Sequence, residues 1–133
     1  MLAGPRDGRR EIVAIPLDGT GSADPDRIRV VAAGQRFLAC PRVSPDGRHL
    51  SWIGWDHPSM PWDGTELCVA ELDGHGVAGP YQVLAGGPTE AVTQAEWAGP
   101  DALIAATDPD GWWNLHRIPL DGSPAVNLCR RDE

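Results

Sequence analysis

The chain has 133 residues and a formal net charge of −8, with 41% apolar residues, 16 Gly and 13 Pro. One ordinary domain is the default for this length, and the apolar share is that of a globular protein, not a disordered one. All eleven basic residues are Arg and acidic residues outnumber them, which gives no footprint for nucleic acid and opposes binding to anionic membranes.

The Gly and Pro content points to many short elements joined by turns. In chain order, the first strand-like run is EIVAIPL (11–17), which ends at Leu17, Asp18 and Gly19. A second run, IRVVAA, occupies about 27–33. FLACPRV (37–43) follows, then a turn at Ser44, Pro45, Asp46 and Gly47, and HLSWIGW (49–55). Next comes a loop dense in Trp, His, Pro and Met, read as WDHPSMPWDG (55–64). TELCVAEL (65–72) and YQVLAG (81–86) complete this unit. A third unit reads AVTQAEW (91–97), a turn at 98–101, ALIAAT (102–107), a loop at 108–111, WWNLHRIPL (112–120) and AVNLC. No segment carries a helical period over eleven residues.

The tripeptide Leu-Asp-Gly recurs at 17–19, 72–74 and 120–122, at intervals of 55 and 48 residues. Each copy closes a strand-like run, with Asp to cap the turn and Gly to supply a positive φ. Pro16 and Pro119 stand at matching places before it, at strand positions that need no N–H. Units of about 40–50 residues with four short strands each are the mark of β-propeller blades. The fold class expected is therefore all-β, a partial propeller of about two and a half four-stranded antiparallel blades. Residues 1–36 supply the last two strands of an incomplete blade. Residues 37–87 form a complete blade with its long aromatic loop, and 88–133 form another blade with a C-terminal tail. A sandwich of about ten strands is the alternative, but sandwiches do not repeat at blade length.

The stretch RVSPDGRHLSWIGWDHPSMPWDGTELCVAELDG resembles the propeller of S9 serine peptidases of the prolyl oligopeptidase family, in the acylaminoacyl-peptidase and dipeptidyl-aminopeptidase-like branch. AVTQAEW and GWWNLHRIPLDG resemble the next blade. The resemblance covers roughly 37–122 and departs at 98–101, where AGPD replaces SPDG and is expected to alter the turn but not the blade. It implies a propeller that gates substrate and docks an α/β-hydrolase domain, with that domain and a peptide substrate as partners. The chain itself has no GxSxG nucleophile elbow. None of Ser22, Ser44, Ser51, Ser59 and Ser123 has Gly two residues to each side. No catalytic residue is assigned, and no activity is expected of these residues alone. The alternative is a stand-alone WD40-like or TolB-like module that binds protein or peptide.

In a four-stranded antiparallel blade, the connection between strands two and three leaves at the same end as the connection to the next blade. Residues 56–64, 86–91 and 108–112 are therefore expected on one face. Trp55, Asp56, His57, Met60, Trp62, Glu90 and Trp112 are the candidate substrate- or domain-facing residues. Each has a plainer structural role: Trp55 and Trp62 as a pair closing the loop, His57 as a loop organiser, Glu90 as a solvated carboxylate. Trp52 and Trp97 are expected in the core. Asp108 and Asp110 lack the remaining ligands of a calcium loop, so no metal and no cofactor are expected.

Cys40, Cys68 and Cys129 form no CxxC pair, so a disulfide framework or zinc site is not indicated. Cys40 and Cys68 sit in strand-like runs and are expected to be buried thiols. The N-terminus has no apolar leader segment and no run approaches a membrane span, which leads to the expectation of a soluble, cytoplasmic protein. Open blade edges predict self-association.

Overall fold

The computed structural model describes residues 10–130. Residues 1–9, read above as lacking a leader, and the last residues of the tail, 131–133, lie outside the described residues.

Strands β1 (Glu11–Ala14) and β2 (Arg29–Ala33) form an antiparallel pair. Strands β3 (Phe37–Val43), β4 (His49–Trp55), β5 (Glu66–Leu72) and β6 (Ala78–Gly86) form a four-stranded sheet in sequence order. Strands β7 (Val92–Trp97), β8 (Ala102–Thr107), β9 (Asn114–Pro119) and β10 (Val126–Asn127) form a second one. Every pairing is antiparallel. This is the expected all-β partial propeller, two four-stranded sheets and a two-stranded piece.

The blades stack face to face, because alternate residues of a strand point to opposite faces. On β4 and β5, Leu50, Trp52, Cys68 and Ala70 pack with Ala32 of the two-stranded piece. Their neighbours Ile53, Leu67 and Val69 pack instead against Val92, Ala95, Leu103, Ala105 and Ile118 of the next sheet. The middle sheet is thus covered on both faces, and Leu50, Trp52, Ile53 and Leu67 are all buried. Trp52 lies in the core as expected. Trp97 is only half-buried, and its indole N–H donates to the Arg42 carbonyl at 3.1 Å.

Several turns differ from the sequence reading. β1 stops at Ala14, before Pro16, so the first Leu-Asp-Gly lies outside the strand. A short helix α1 (Thr20–Ala23) follows it, where Asp18 accepts from the Thr20 N–H and hydroxyl. Pro119, by contrast, is the last residue of its strand and pairs with Ala102, so the two prolines are not equivalent. In the second copy the left-handed residue is Gly76 (φ 73°), not Gly74, because Asp73 caps a longer turn through the N–H groups of His75 and Val77. At 98–101, Gly99 in the second position takes the positive φ that Gly47 takes in the fourth position of SPDG, and β8 still begins on register.

Cys40 corrects a second expectation. A bulge between Ala39 and Arg42 places an extra residue on β3, and Cys40 adopts φ 52° with its thiol exposed. A bulge breaks the strict alternation that predicted burial. Cys68 is buried, as expected.

Candidate functional site

The three connections 56–65, 87–91 and 108–113 meet at one end of the sheets. The first folds on itself in two turns: the Asp56 carbonyl accepts from Ser59 N–H, and the Met60 carbonyl accepts from Asp63 N–H. It then docks on the second connection. Gly64 lies so close to it that a Cβ there would sit 2.6 Å from the Gly87 carbonyl oxygen. Thr65 N–H donates to Glu90 O, and Gly87 N–H donates to Thr65 O, both at 3.1 Å. The buried Thr65 hydroxyl donates to Val92 O at 2.8 Å and accepts from Val92 N–H at 2.6 Å. The third connection joins through Asp108, whose carboxylate accepts from Ala91 N–H at 2.7 Å. The Thr107 hydroxyl donates to Glu90 Oε1 at 2.5 Å.

A cleft of about 190 Å³ opens beside this junction. Trp55, Asp56, His57 and Ser59 form one wall, and Gly87 and Pro88 form part of the other. Glu66 and Gln35 also line it. Gln35 is only 4% exposed. Its Oε1 accepts from the Trp52 indole N–H at 3.2 Å, and its Nε2 donates to Glu66 Oε2 at 2.9 Å. The Cys68 thiol lies against the same amide, 3.7 Å from its oxygen. Burial pushes that thiol up to about 12, which leaves it protonated and inert. Gly54 makes room for Gln35, since a Cβ there would fall 1.9 Å from Gln35 Oε1.

Of the residues singled out in the sequence, three line the cleft. Trp55 stacks on Phe37 (centroids 5.3 Å, 12° between planes), and the His57 ring meets the same Phe37 edge-on at 5.1 Å. Asp56 accepts from the Arg36 N–H at 2.7 Å. Met60 and Trp62 do not line the cleft and are exposed, Trp62 to 64%. Trp55 closes on Phe37 and not on Trp62, so these two tryptophans do not form the expected clasp. Glu90 is not a free solvated carboxylate: it ties the second connection to Thr107 and does not line the cleft. Trp112 and its neighbour Trp113 are about half exposed on the third connection. Gln35, Phe37, Thr65 and Glu66 were not singled out. Only the position of Glu66 beside the WDGT run signals it, and Gln35 has no sequence signal at all. Among the described residues no group of three or more His, Cys, Asp or Glu is placed to hold a metal ion.

Neither protein-family models nor curated proteins match this chain. Solved structures do. A puromycin hydrolase is 49% identical with a TM-score of 0.87, over 97% of this chain and 20% of that one. A puromycin hydrolase mutant complexed with PGG is 49% identical with a TM-score of 0.86, over 93% of this chain and 19% of that one. A puromycin-hydrolyzing peptidase of Mycobacterium tuberculosis is 41% identical with a TM-score of 0.87, over 92% of this chain and 19% of that one. The chain spans about a fifth of the length of the structures it matches.

Proposed function

Since these blades are those of an S9-family peptidase propeller, we propose that the chain serves as the non-catalytic propeller portion of a serine peptidase. Its loop face docks an α/β-hydrolase domain and borders the path of a peptide or aminoacyl substrate. The observation that carries this reading is the hydrogen-bonded junction of three connections at one end of the sheets, which carry the exposed side chains of Met60, Trp62, Trp112 and Trp113. Large exposed apolar side chains on two connections at the same end of the sheets favour a surface that another body covers. Trp55, Asp56 and His57 border the substrate path in this reading, and Glu90 fixes the connection behind it. The units 10–36, 37–87 and 88–130 act as successive blades. The three thiols are unpaired, which favours a reducing, cytoplasmic setting. No helix among the described residues is long and apolar enough to cross a membrane.

A chimera tests this. Residues 11–127 replace the matching segment of the puromycin hydrolase, and the product is assayed for puromycin hydrolysis and for a cooperative melt. A folded chimera is expected to hydrolyse puromycin, and replacing Trp62 and Trp112 by Ser is expected to lower its melting temperature. A folded but inactive chimera overturns the reading and favours a stand-alone binding module. In isolation the chain self-associates, through the outer face that carries Ile104, Leu115 and Val126, where Leu115 is 49% exposed. Light scattering is expected to show oligomers that Leu115→Lys disperses.

A further inference from the structure

We propose that Arg42, Glu96 and Trp97 form a latch across the seam between the two four-stranded sheets, which opens locally and lets β3 and β7 part while the apolar centre of the seam stays packed. β3 and β7 are the first strands of their sheets, and each lies at a sheet edge. β7 packs against β3, β4 and β5. The Arg42 Nε donates to both oxygens of the Glu96 carboxylate at 3.2 Å. Its Nη1 donates to the Pro41 carbonyl at 3.0 Å, which steers the guanidinium from its own strand. The Trp97 indole N–H donates in turn to the Arg42 carbonyl at 3.1 Å. Arg42 thus meets two successive residues of β7, one with its side chain and one with its backbone. The pairs Arg27–Asp24 and Arg117–Asp101 each stay within one unit, whereas Arg42–Glu96 crosses from one sheet to the next.

Exposure and packing make this contact one that opens. The Arg42 and Glu96 side chains are 47% and 50% exposed. An ion pair in such contact with water holds weakly, and salt screens it. The seam beside it is loosely filled. His49 lies next to Trp97, with ring centroids 6.1 Å apart, and its buried Nδ1 has no hydrogen-bond partner. Clefts of about 390 and 650 Å³ both run along His49 of one sheet and Leu120 beyond the other. The apolar contacts lie elsewhere, where Ile53 and Leu67 meet Val92, Ala95 and Leu103. A region with exposed hydrogen bonds and few apolar contacts opens at a lower free energy than the core around it.

The test is solvent exchange of the indole N–H groups in the full chain, followed by NMR at fixed protein concentration. The Trp52 indole, buried and bonded to Gln35, is the reference for wider unfolding. Raising NaCl from about 50 mM to about 500 mM is expected to speed Trp97 exchange by about two- to fivefold relative to Trp52, the range an exposed ion pair supports. Glu96→Gln leaves the Trp97 indole and the Arg42 carbonyl in place. It is expected to speed Trp97 exchange at low salt by a similar factor and to remove the salt dependence. The exchanged pair, Arg42→Glu with Glu96→Arg, is expected to restore both the protection and the salt dependence. Parallel responses of Trp97 and Trp52 to salt overturn the proposal, because they report wider unfolding and not a local opening. So does a Glu96→Gln variant in which Trp97 exchanges as in the unmodified chain. If a variant fails to fold, the salt series on the unmodified chain still decides.

Discussion

Replacing Gly54 with Ala is the sharpest perturbation of the cleft lining. In an extended strand this change normally stabilises a protein by about 0.4–1 kcal/mol, because it restricts the unfolded chain. Here the new methyl would fall 1.9 Å from Gln35 Oε1 and 2.3 Å from its Cδ. Gln35 is buried and cannot swing into solvent without leaving its partners. Overpacking costs about 1–3 kcal/mol. Displacing Gln35 strands the buried Trp52 indole N–H, which costs about 1–3 kcal/mol more. The net expectation is a loss of about 1–5 kcal/mol, opposite in sign to the usual effect. Urea denaturation followed by tryptophan fluorescence, at fixed protein concentration, measures it. The same substitution made in a Gln35→Ala background is expected to cost little, since the space is then vacant, giving a coupling of at least about 1 kcal/mol. Additive effects of the two substitutions, or a stabilising Gly54→Ala, would refute the packing argument.

Thr65→Val removes a hydroxyl that serves Val92 N–H and O together. A loss of about 2–3 kcal/mol is expected in the same denaturation assay, with most of it restored by Thr65→Ser. A thiol reagent is expected to modify exposed Cys40 and Cys129 promptly, and Cys68 only on unfolding, because burial holds its thiol up at about 12. Asp46, Asp73 and Asp121 are all held below the ordinary Asp value of 3.8 by hydrogen bonds: from Ser44 and Arg48, from Val77 and His75, and from Ser123. A depressed folded pKa contributes stability above 3.8 that is lost as pH falls through the folded value. The melting temperature is therefore expected to decline as pH drops below about 4. Asp73→Ala is expected to shallow that decline.

The strand layout was legible because it depends on neighbours in sequence. β3, β4 and β8 occupy the ranges 37–43, 49–55 and 102–107 that alternation and turn residues predict. The end of the sheets at which the aromatic loop lies followed from antiparallel geometry alone. Turn chemistry was less secure: Asp73 reaches two residues further than its motif implies, and Pro16 ends up outside its strand. Exposure inside strands failed where a bulge intervened, as at Cys40.

The aromatic loop is legible in the sequence, but the Gln35–Glu66 pair that lines the cleft beside it is not. Periodicity and turn residues fix strands and their order, because each strand's pattern is written in its own few residues. The pairing of Gln35 with Glu66 spans 31 positions, and that of Glu90 with Thr107 spans 17. Such contacts exist only once strands distant in sequence have paired. Pairing of β7 with β8 set the Glu90 carboxylate against the Thr107 hydroxyl. The same fold set Glu66, a strand residue, against Gln35 in the lining of the cleft.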